Sequence, residues 1–565
     1  MTVAVVPPAA TPAAQRGIHA LLAELDAEQA AAACLPDGPS QIIAPAGSGK
    51  TTTLIARLGV LMSRGVPPEK IAVATFNRDA AEELRSRILS RLAPIVPGAE
   101  TIEVRTLHAL ARQVLLDAGS TVELVADRLP LLRRARRRCM IGRSPDAPPL
   151  PEVSQLDTWL STWKIEHRPP PIEAAAVIAA YESLLAARHL SDFDDLVVDA
   201  ANRLESDPRL RMRWQARFSH MCVDEFQDVD AAQLRLVRVL AEPERNLFVV
   251  GDDDQTIYAW RLADVRRILD FSSMYPGARR VLLATNYRCP PAVVGCSSRL
   301  IDVNQERFVK RIAAGKPEQP EAVAKAGGTV LAVATNLPDW PDHLARLAAG
   351  RTTHGARACL LARTRSELAP VALALVRAGV PHAMSVPGPL DDSAVQALET
   401  DLRGIPGHEM PFAALLRWRA ARGWRREDQD DALGDDDHAA LDAFIGWAAG
   451  FRSIAAFLAA LDDMRQRLSI LRDPHAPVEL ITVHAAKGRE WETVIVLGFE
   501  EDRFPNRRAL LGGAEPARAL EEERRLAYVA LTRATQTLVL AFDPAQPSRF
   551  LAEMGFAAPA TPAGP

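Results

Sequence analysis

The chain has 565 residues, too many for a single hydrophobic core and enough for three or four domains. Hydrophobic residues make up 48% and charged residues 24%, an ordinary globular composition that excludes a fibrous or wholly disordered chain. A formal net charge of -4 excludes a uniformly basic nucleic-acid binder, so any such surface has to be local.

The opening stretch MTVAVVPPAATPAAQRG has no basic n-region and no long apolar run. It reads as a loose tail over residues 1–15, not a signal peptide, and no apolar stretch reaches membrane-spanning length. Six cysteines, Cys34, Cys139, Cys222, Cys289, Cys296 and Cys359, lie scattered without a CxxC pair. That argues against a zinc site or disulfide framework and fits a reducing, cytoplasmic setting.

The first strand signal, QIIA at Gln41–Ala44, runs into APAGSGKT and then the helical TTLIARL. Strand, Gly-rich loop and helix in that order are what a phosphate-binding loop requires. Backbone N–H groups around Gly47 and Gly49 can wrap phosphates only where no side chain blocks them, and the helix N-terminus adds positive potential. Residues Ala44, Pro45, Ala46, Gly47, Ser48, Gly49, Lys50, Thr51 and Thr52 are therefore the candidate ATP cradle. Lys50 is expected to reach the β- and γ-phosphates and the Thr51 hydroxyl to ligate Mg²⁺. Ala44 stands where the strict pattern has its first Gly, so the match is to the relaxed form.

IAVA at Ile71–Ala74 is the next strand signal, followed by a helical stretch over 109–191 that carries the basic run Arg133–Arg143. That run is either a grip on duplex phosphates or a solvated helix face. MCV at Met221–Val223 and LFVV at Leu247–Val250 complete four buried strands. VDEFQD ends the third of them: Asp224 is expected to hold Mg²⁺ through water and Glu225 to orient or deprotonate the attacking water. Acids that directly follow a buried strand demand a cation or hydrogen-bond partners.

A second set of strand signals, Val281–Leu283, ACLL at Ala358–Leu361 and VIVL at Val494–Leu497, points to a second α/β lobe. The reading is an α/β protein with two parallel-sheet lobes, each carrying a mainly helical insertion. The first lobe takes 16–108 and 192–280, with its insertion at 109–191. The second takes 281–396 and 472–556, with a reduced insertion at 397–471 that contains the acidic run Asp428–Asp437, read as a solvated loop. The Ala/Pro-rich end, 557–565, reads as a disordered tail.

The motifs fall in an order that resembles the UvrD/Rep/PcrA group of superfamily 1 helicases. LDAEQ ends at Gln29, like the motif that reads adenine, and ATFNRDAAEELRSRI, RTLHALA, DFDDL and VDEFQD follow. GDDDQTIYAWR, NYRCP, NQERFVK, ITVHAAKGREWETVIVLG and EEERRLAYVALTRA continue the series. The resemblance implies two RecA-like P-loop lobes with ATP between them. It implies that Arg288 and Arg533 act as arginine fingers, that Gln255 senses the γ-phosphate, that Tyr287 stacks on adenine and that Glu490 contacts the ribose. Transition-state charge on the γ-phosphoryl is what such arginines would meet.

Tracking along DNA needs flat π-faces for bases and donors for phosphates. Phe76, Asn77, Thr106, His108, Tyr258, Trp260, Arg261 and His484 are the candidates for those contacts. The expected partners are single-stranded DNA and single-strand/duplex junctions, with possible repair or replication proteins and no membrane. By resemblance the activity is an ATP-dependent helicase moving 3′→5′. The alternatives are a translocase that strips proteins from DNA while unwinding little, and a DNA-binding regulatory subunit with a silent site. Two departures stand out. Leu262 follows Arg261 where the family commonly has Gly, so a different local turn is expected, and the 397–471 insertion is short, which bears on processive unwinding.

Overall fold

The computed structural model describes residues 12–141, 143–144, 147–315, 330–385, 390–391, 393–421, 441, 444–512 and 515–556. The acidic run Asp428–Asp437 and the 557–565 tail lie outside the described residues, as do residues 1–11. The chain forms two compact units. Met1–Thr285 with Glu306–Arg311 make the first, and Asn286–Gln305 with Ile312–Pro565 make the second.

The first unit is built on six strands: β1 (Ser40–Ile43), β2 (Ile71–Thr75), β3 (Glu103–Thr106), β4 (His220–Val223), β5 (Leu247–Gly251) and β6 (Arg279–Leu282). Their order is β3-β2-β4-β5-β1-β6, and every pairing is parallel. Successive residues go to opposite faces: Ile43, Ala72, Val223 and Val249 join one apolar cluster, while Ile42, Val73, Cys222 and Val250 join another. A parallel sheet covered on both faces explains why its strands read as unbroken apolar runs instead of alternating ones.

Two expectations are corrected here. The run around Val281 belongs to the first sheet, not the second, because β6 pairs with β1 from Ser40↔Arg279 to Ile43↔Leu282. An apolar run marks a strand but carries no information on which sheet it joins. The supposed loose tail also ends early, since Pro12–Ala23 is a helix, α1, with Ala14, Ile18 and Leu21 buried. Spacings of four and three put these three residues on one helical stripe, and proline is tolerated in the first turn.

Between β3 and β4 lies a helical module with its own core, including Leu132, Leu156, Leu160, Val177 and Tyr181. Lys164 fastens it to the DFDDL segment, with Nζ 2.9 Å from Asp192 and 2.7 Å from Asp195.

The second unit carries another six-stranded sheet: β7 (Val330–Ala334), β8 (Ala358–Ala362), β9 (His382–Met384), β10 (Val478–Thr482), β11 (Trp491–Val496) and β12 (Ala534–Phe542). The order is β7-β12-β11-β8-β10-β9, again all parallel. Helices after β9 form a separate apolar cluster that includes Leu398, Leu415, Phe444, Phe457 and Leu461. Among the described residues, no helix is long and apolar enough to cross a membrane.

Candidate nucleotide and nucleic-acid site

In an open parallel sheet, ligands bind beyond the carboxyl ends of the strands. The first unit places its candidate residues along that edge. The phosphate loop leaves β1, Phe76 follows β2, Thr106 ends β3, Asp224 follows β4 and Asp252 follows β5. Register aligns these exits, with Ile43↔Gly251, Thr75↔Thr106 and Val223↔Val249.

The loop is shaped for a phosphate. Gly47 and Gly49 have φ of 70° and 80°, in the left-handed region where glycine is unstrained. A Cβ on Gly49 would sit 2.5 Å from the Gln29 amide nitrogen. That amide donates to the Ser48 carbonyl at 2.9 Å, so Gln29 braces the loop from α2 (Ala27–Ala33), where it also closes a capping box with Asp26. The Ser48 hydroxyl is buried and finds no hydrogen-bond partner among the described residues. A buried unpaired hydroxyl in a glycine-rich loop fits a phosphate oxygen. Ala44 and Pro45 hold the loop's base, the first donating to Gly251 at 2.8 Å and the second accepting from Ser48 at 3.1 Å. Lys50, Thr51 and Thr52 open α3 (Lys50–Ser63).

Lys50 Nζ lies 2.9 Å from Glu225 Oε1. Glu225 takes a left-handed φ of 52°, a strained conformation for a residue with a side chain, and strain of this kind collects at functional sites. Asp224 is half-buried, and desolvation followed by repulsion from Glu225 pushes its carboxyl up to about 6, with Lys50 pulling the other way. A carboxyl in that state fits a cation, and Thr51 is the hydroxyl that would share it.

A line of amides extends from Glu225. The Gln227 amide donates to Glu225 Oε2, and its oxygen accepts from the Asp252 N–H at 3.1 Å. Asp252 Oδ2 in turn accepts the Gln255 amide at 2.7 Å. Gly251 has to be glycine here, since a Cβ would fall 2.5 Å from the Gln227 oxygen. Gln227 and Asp252 stand inside VDEFQD and GDDDQ, where nothing in the sequence separates them from the neighbouring polar residues.

Beyond Gln255 the aromatic candidates converge. Phe76 stacks on Tyr258 at 4.8 Å with the planes 20° apart, and Tyr258 meets Trp260 edge-on at 6.3 Å. Arg261 lies over both Phe76 and Trp260. His108 faces Phe193 edge-on at 5.9 Å, and burial followed by Arg261 lowers its pKa, which keeps it neutral. Trp260 is 64% exposed, a large apolar face left to solvent beside the nucleotide cradle. Leu262, which follows Arg261, closes the local turn. It adopts φ 63° and ψ 21°, the conformation a glycine would take, at the cost of local strain. Asn77 and Thr106 cap α4 (Arg78–Arg87) and α5 (Leu107–Asp117), accepting from Ala80 and Ala109 at 2.8 and 3.2 Å.

The second unit divides its candidates between the two edges of its sheet. Trp491 pairs with Ala534, which brings the preceding residues Glu490 and Arg533 together at the amino edge. Arg288 Nε joins them at 2.5 Å from Glu490. Arg533 is 1% exposed, with Nε donating to the Val529 carbonyl at 2.9 Å and Nη1 to Arg489 at 3.3 Å. Tyr287 presents a 44% exposed ring next to Arg288. His484 lies at the opposite, carboxyl edge after β10, where burial and then Arg363 depress its pKa to about 4.

This arrangement is that of a P-loop nucleotide site with an aromatic surface beside it, and comparison with known proteins gives it a family. The model of the UvrD/REP helicase N-terminal domain matches residues 25–146 and 150–276, and that of the UvrD-like helicase C-terminal domain matches 448–543. An ATP-dependent DNA helicase PcrA of Leuconostoc citreum is 28% identical, over 95% of this chain and 85% of its own. An ATP-dependent DNA helicase UvrD2 of Mycobacterium tuberculosis is 29% identical, over 94% and 81%. DNA helicase II of Escherichia coli is 27% identical, over 94% and 88%. The chain belongs to the UvrD/REP helicase family.

Proposed function

We propose that this member of the family is an ATP-dependent DNA helicase that advances 3′→5′ on single-stranded DNA and uses each hydrolysis step to separate strands. The observation that carries this reading is the bonded run from Lys50 and Glu225 through Gln227 and Asp252 to Gln255, with the paired rings of Tyr258 and Trp260 following directly in the chain. A group that meets the γ-phosphate therefore stands three residues from one that offers a ring to a base. Hydrolysis draws on Lys50 to hold the phosphates and on Glu225 to orient and deprotonate water. When bound, Mg²⁺ would be held by Thr51 and Asp224 and would neutralise charge on the β- and γ-oxygens. Arg288 and Arg533 serve as the arginine fingers, Tyr287 and Gln29 as adenine contacts, and Glu490 as the ribose contact. Phe76, Trp260 and Arg261 grip bases and phosphates. His108, Asn77, Thr106 and His484 hold the backbone path. Repair or replication is the proposed setting, in the cytoplasm.

The compact helical insertion favours a second reading, a translocase that displaces proteins and unwinds weakly alone. ATPase assays with and without oligonucleotide, run beside unwinding of duplexes with 3′ or 5′ overhangs, test both. Stimulated hydrolysis with unwinding of 3′-tailed duplexes alone is expected. Stimulated hydrolysis without unwinding selects the translocase, and hydrolysis indifferent to DNA removes both.

A further inference from the structure

Glu306–Arg311 belongs to the first unit, yet the chain enters it from Gln305 and leaves it through Ile312, both in the second. This strap is bonded to GDDDQ. Lys310 Nζ lies 2.8 Å from Asp252, 2.6 Å from Asp253 and 2.7 Å from Asp254, and its side chain is 1% exposed. Arg307 forks onto both oxygens of Asp254 at 2.9 and 2.8 Å, and the Phe308 N–H donates to Asp253 at 2.8 Å. Burying an ammonium among carboxylates is a poor way merely to hold a strap, since apolar packing does so without the desolvation penalty. The geometry at Asp252 shows what the charge achieves. One of its carboxylate oxygens takes Lys310, the other takes the Gln255 amide, and its N–H fixes Gln227, whose own amide holds Glu225.

We propose that Lys310 is a positioning residue for ATP hydrolysis: it sets the orientation of Asp252, which aims Gln255 directly and Glu225 through Gln227, and so ties the hydrolytic geometry to a strap whose two ends continue into the second unit. The inference rests on the roles proposed above for Glu225 and Gln255. Small misplacements of such groups cost turnover steeply, while ground-state affinity for nucleotide depends mainly on the phosphate loop.

Lys310→Met alone leaves three buried carboxylates facing one guanidinium, so loss of the fold would confuse its result. Asp253→Asn/Lys310→Met removes one charge of each sign and leaves an acceptor for the Phe308 N–H. Asp253→Asn alone keeps Lys310 on Asp252. For the full chain, kcat and KM for ATP are measured with and without an oligonucleotide, together with Tm. The paired variant is expected to lose at least about tenfold in DNA-stimulated kcat, with KM within about threefold of the parent. Its Tm should stay close to that of Asp253→Asn, which keeps near-parent turnover. Lys310→Arg should recover part of the loss. Parent-like stimulated kcat in the paired variant overturns the proposal, as does a kcat loss matched by a fall in Tm and a rise in KM. A parallel Lys50→Ala arm separates the failures. If it is inactive while the paired variant is normal, only the positioning role falls, and if it still turns over, the phosphate-site reading falls as well.

Discussion

At the carboxyl edge of the first sheet the polar groups are incompletely answered by protein. Ser48 has a buried hydroxyl without a partner among the described residues, Asp224 is held up to about 6 by burial and Glu225, and Trp260 faces solvent. At the amino edge of the second sheet the arginines are already answered. Arg288 is on Glu490, and Arg533 is on the Val529 and Arg489 carbonyls. Both conditions are stable, but they prepare for a ligand differently. A phosphate at the loop would meet the Ser48 hydroxyl and would compete with Glu225 for Lys50. Any ligand of Arg288 or Arg533 would have to replace existing charge-assisted bonds, each on the order of 1.5–3 kcal/mol.

The largest effect that can break this contrast is at Lys50. Lys50→Ala removes the only side-chain charge placed within the phosphate loop itself, and ATP turnover is expected to fall by at least about 10³-fold. Binding of single-stranded DNA, measured by fluorescence anisotropy, should change little, because the aromatic surface around Phe76, Tyr258 and Trp260 is left intact. Equal loss of DNA affinity would mean that the two functions share one unit of structure.

Arg533 comes next. If its present bonds are exchanged during hydrolysis, Arg533→Ala should lower kcat by about 10²–10³-fold with a modest change in KM. It should also lower Tm, because the carbonyls of Val529 and Arg489 lose a buried donor. Arg533→Lys keeps the charge without the planar fork and should rescue little. A lowered Tm with parent-like kcat would make Arg533 a structural arginine and leave Arg288 as the sole finger.

The same contrast decides how much of the molecule could be read from its sequence. In the first unit each chemical group is contiguous with the strand that positions it, so QIIA-PAGSGKT or MCV-DE is legible as strand plus site. In the second unit Glu490 and Arg533 meet through the pairing of Trp491 with Ala534, and Arg288 reaches them from a third segment through its side chain. Strands β7, β10 and β12 carry β-branched and apolar residues in VLAVA, VELIT and TLVLAF, but the last two lie against motif residues whose chemistry dominates the local pattern. Asn77 and Thr106 each stand just before a helix, a capping signal the sequence already carried. Lys310 closes the NQERFVK motif, but nothing in that stretch points to Asp252, 58 positions away.

The smallest effect concerns an exception to the satisfied second unit. Glu367 is buried at the carboxyl edge of its sheet, 3.6 Å from Arg503 and accepting from the Thr364 N–H at 3.0 Å. Burial outweighs these partners and pushes its carboxyl from 4.5 up to about 7. The native state therefore binds a proton there that the unfolded chain has released. Stability from this group is complete below about pH 4.5 and is lost as pH rises through 7. Glu367→Gln is neutral throughout, so relative to the parent it should gain stability between pH 5 and 8, on the order of 1–3 kcal/mol at most. Thermal unfolding of both proteins across that range reads the difference. The two Tm curves should converge toward pH 5 and separate toward pH 8, with kcat unchanged. Parallel curves would show that Arg503 and Thr364 hold Glu367 ionised, leaving the second unit without the exception.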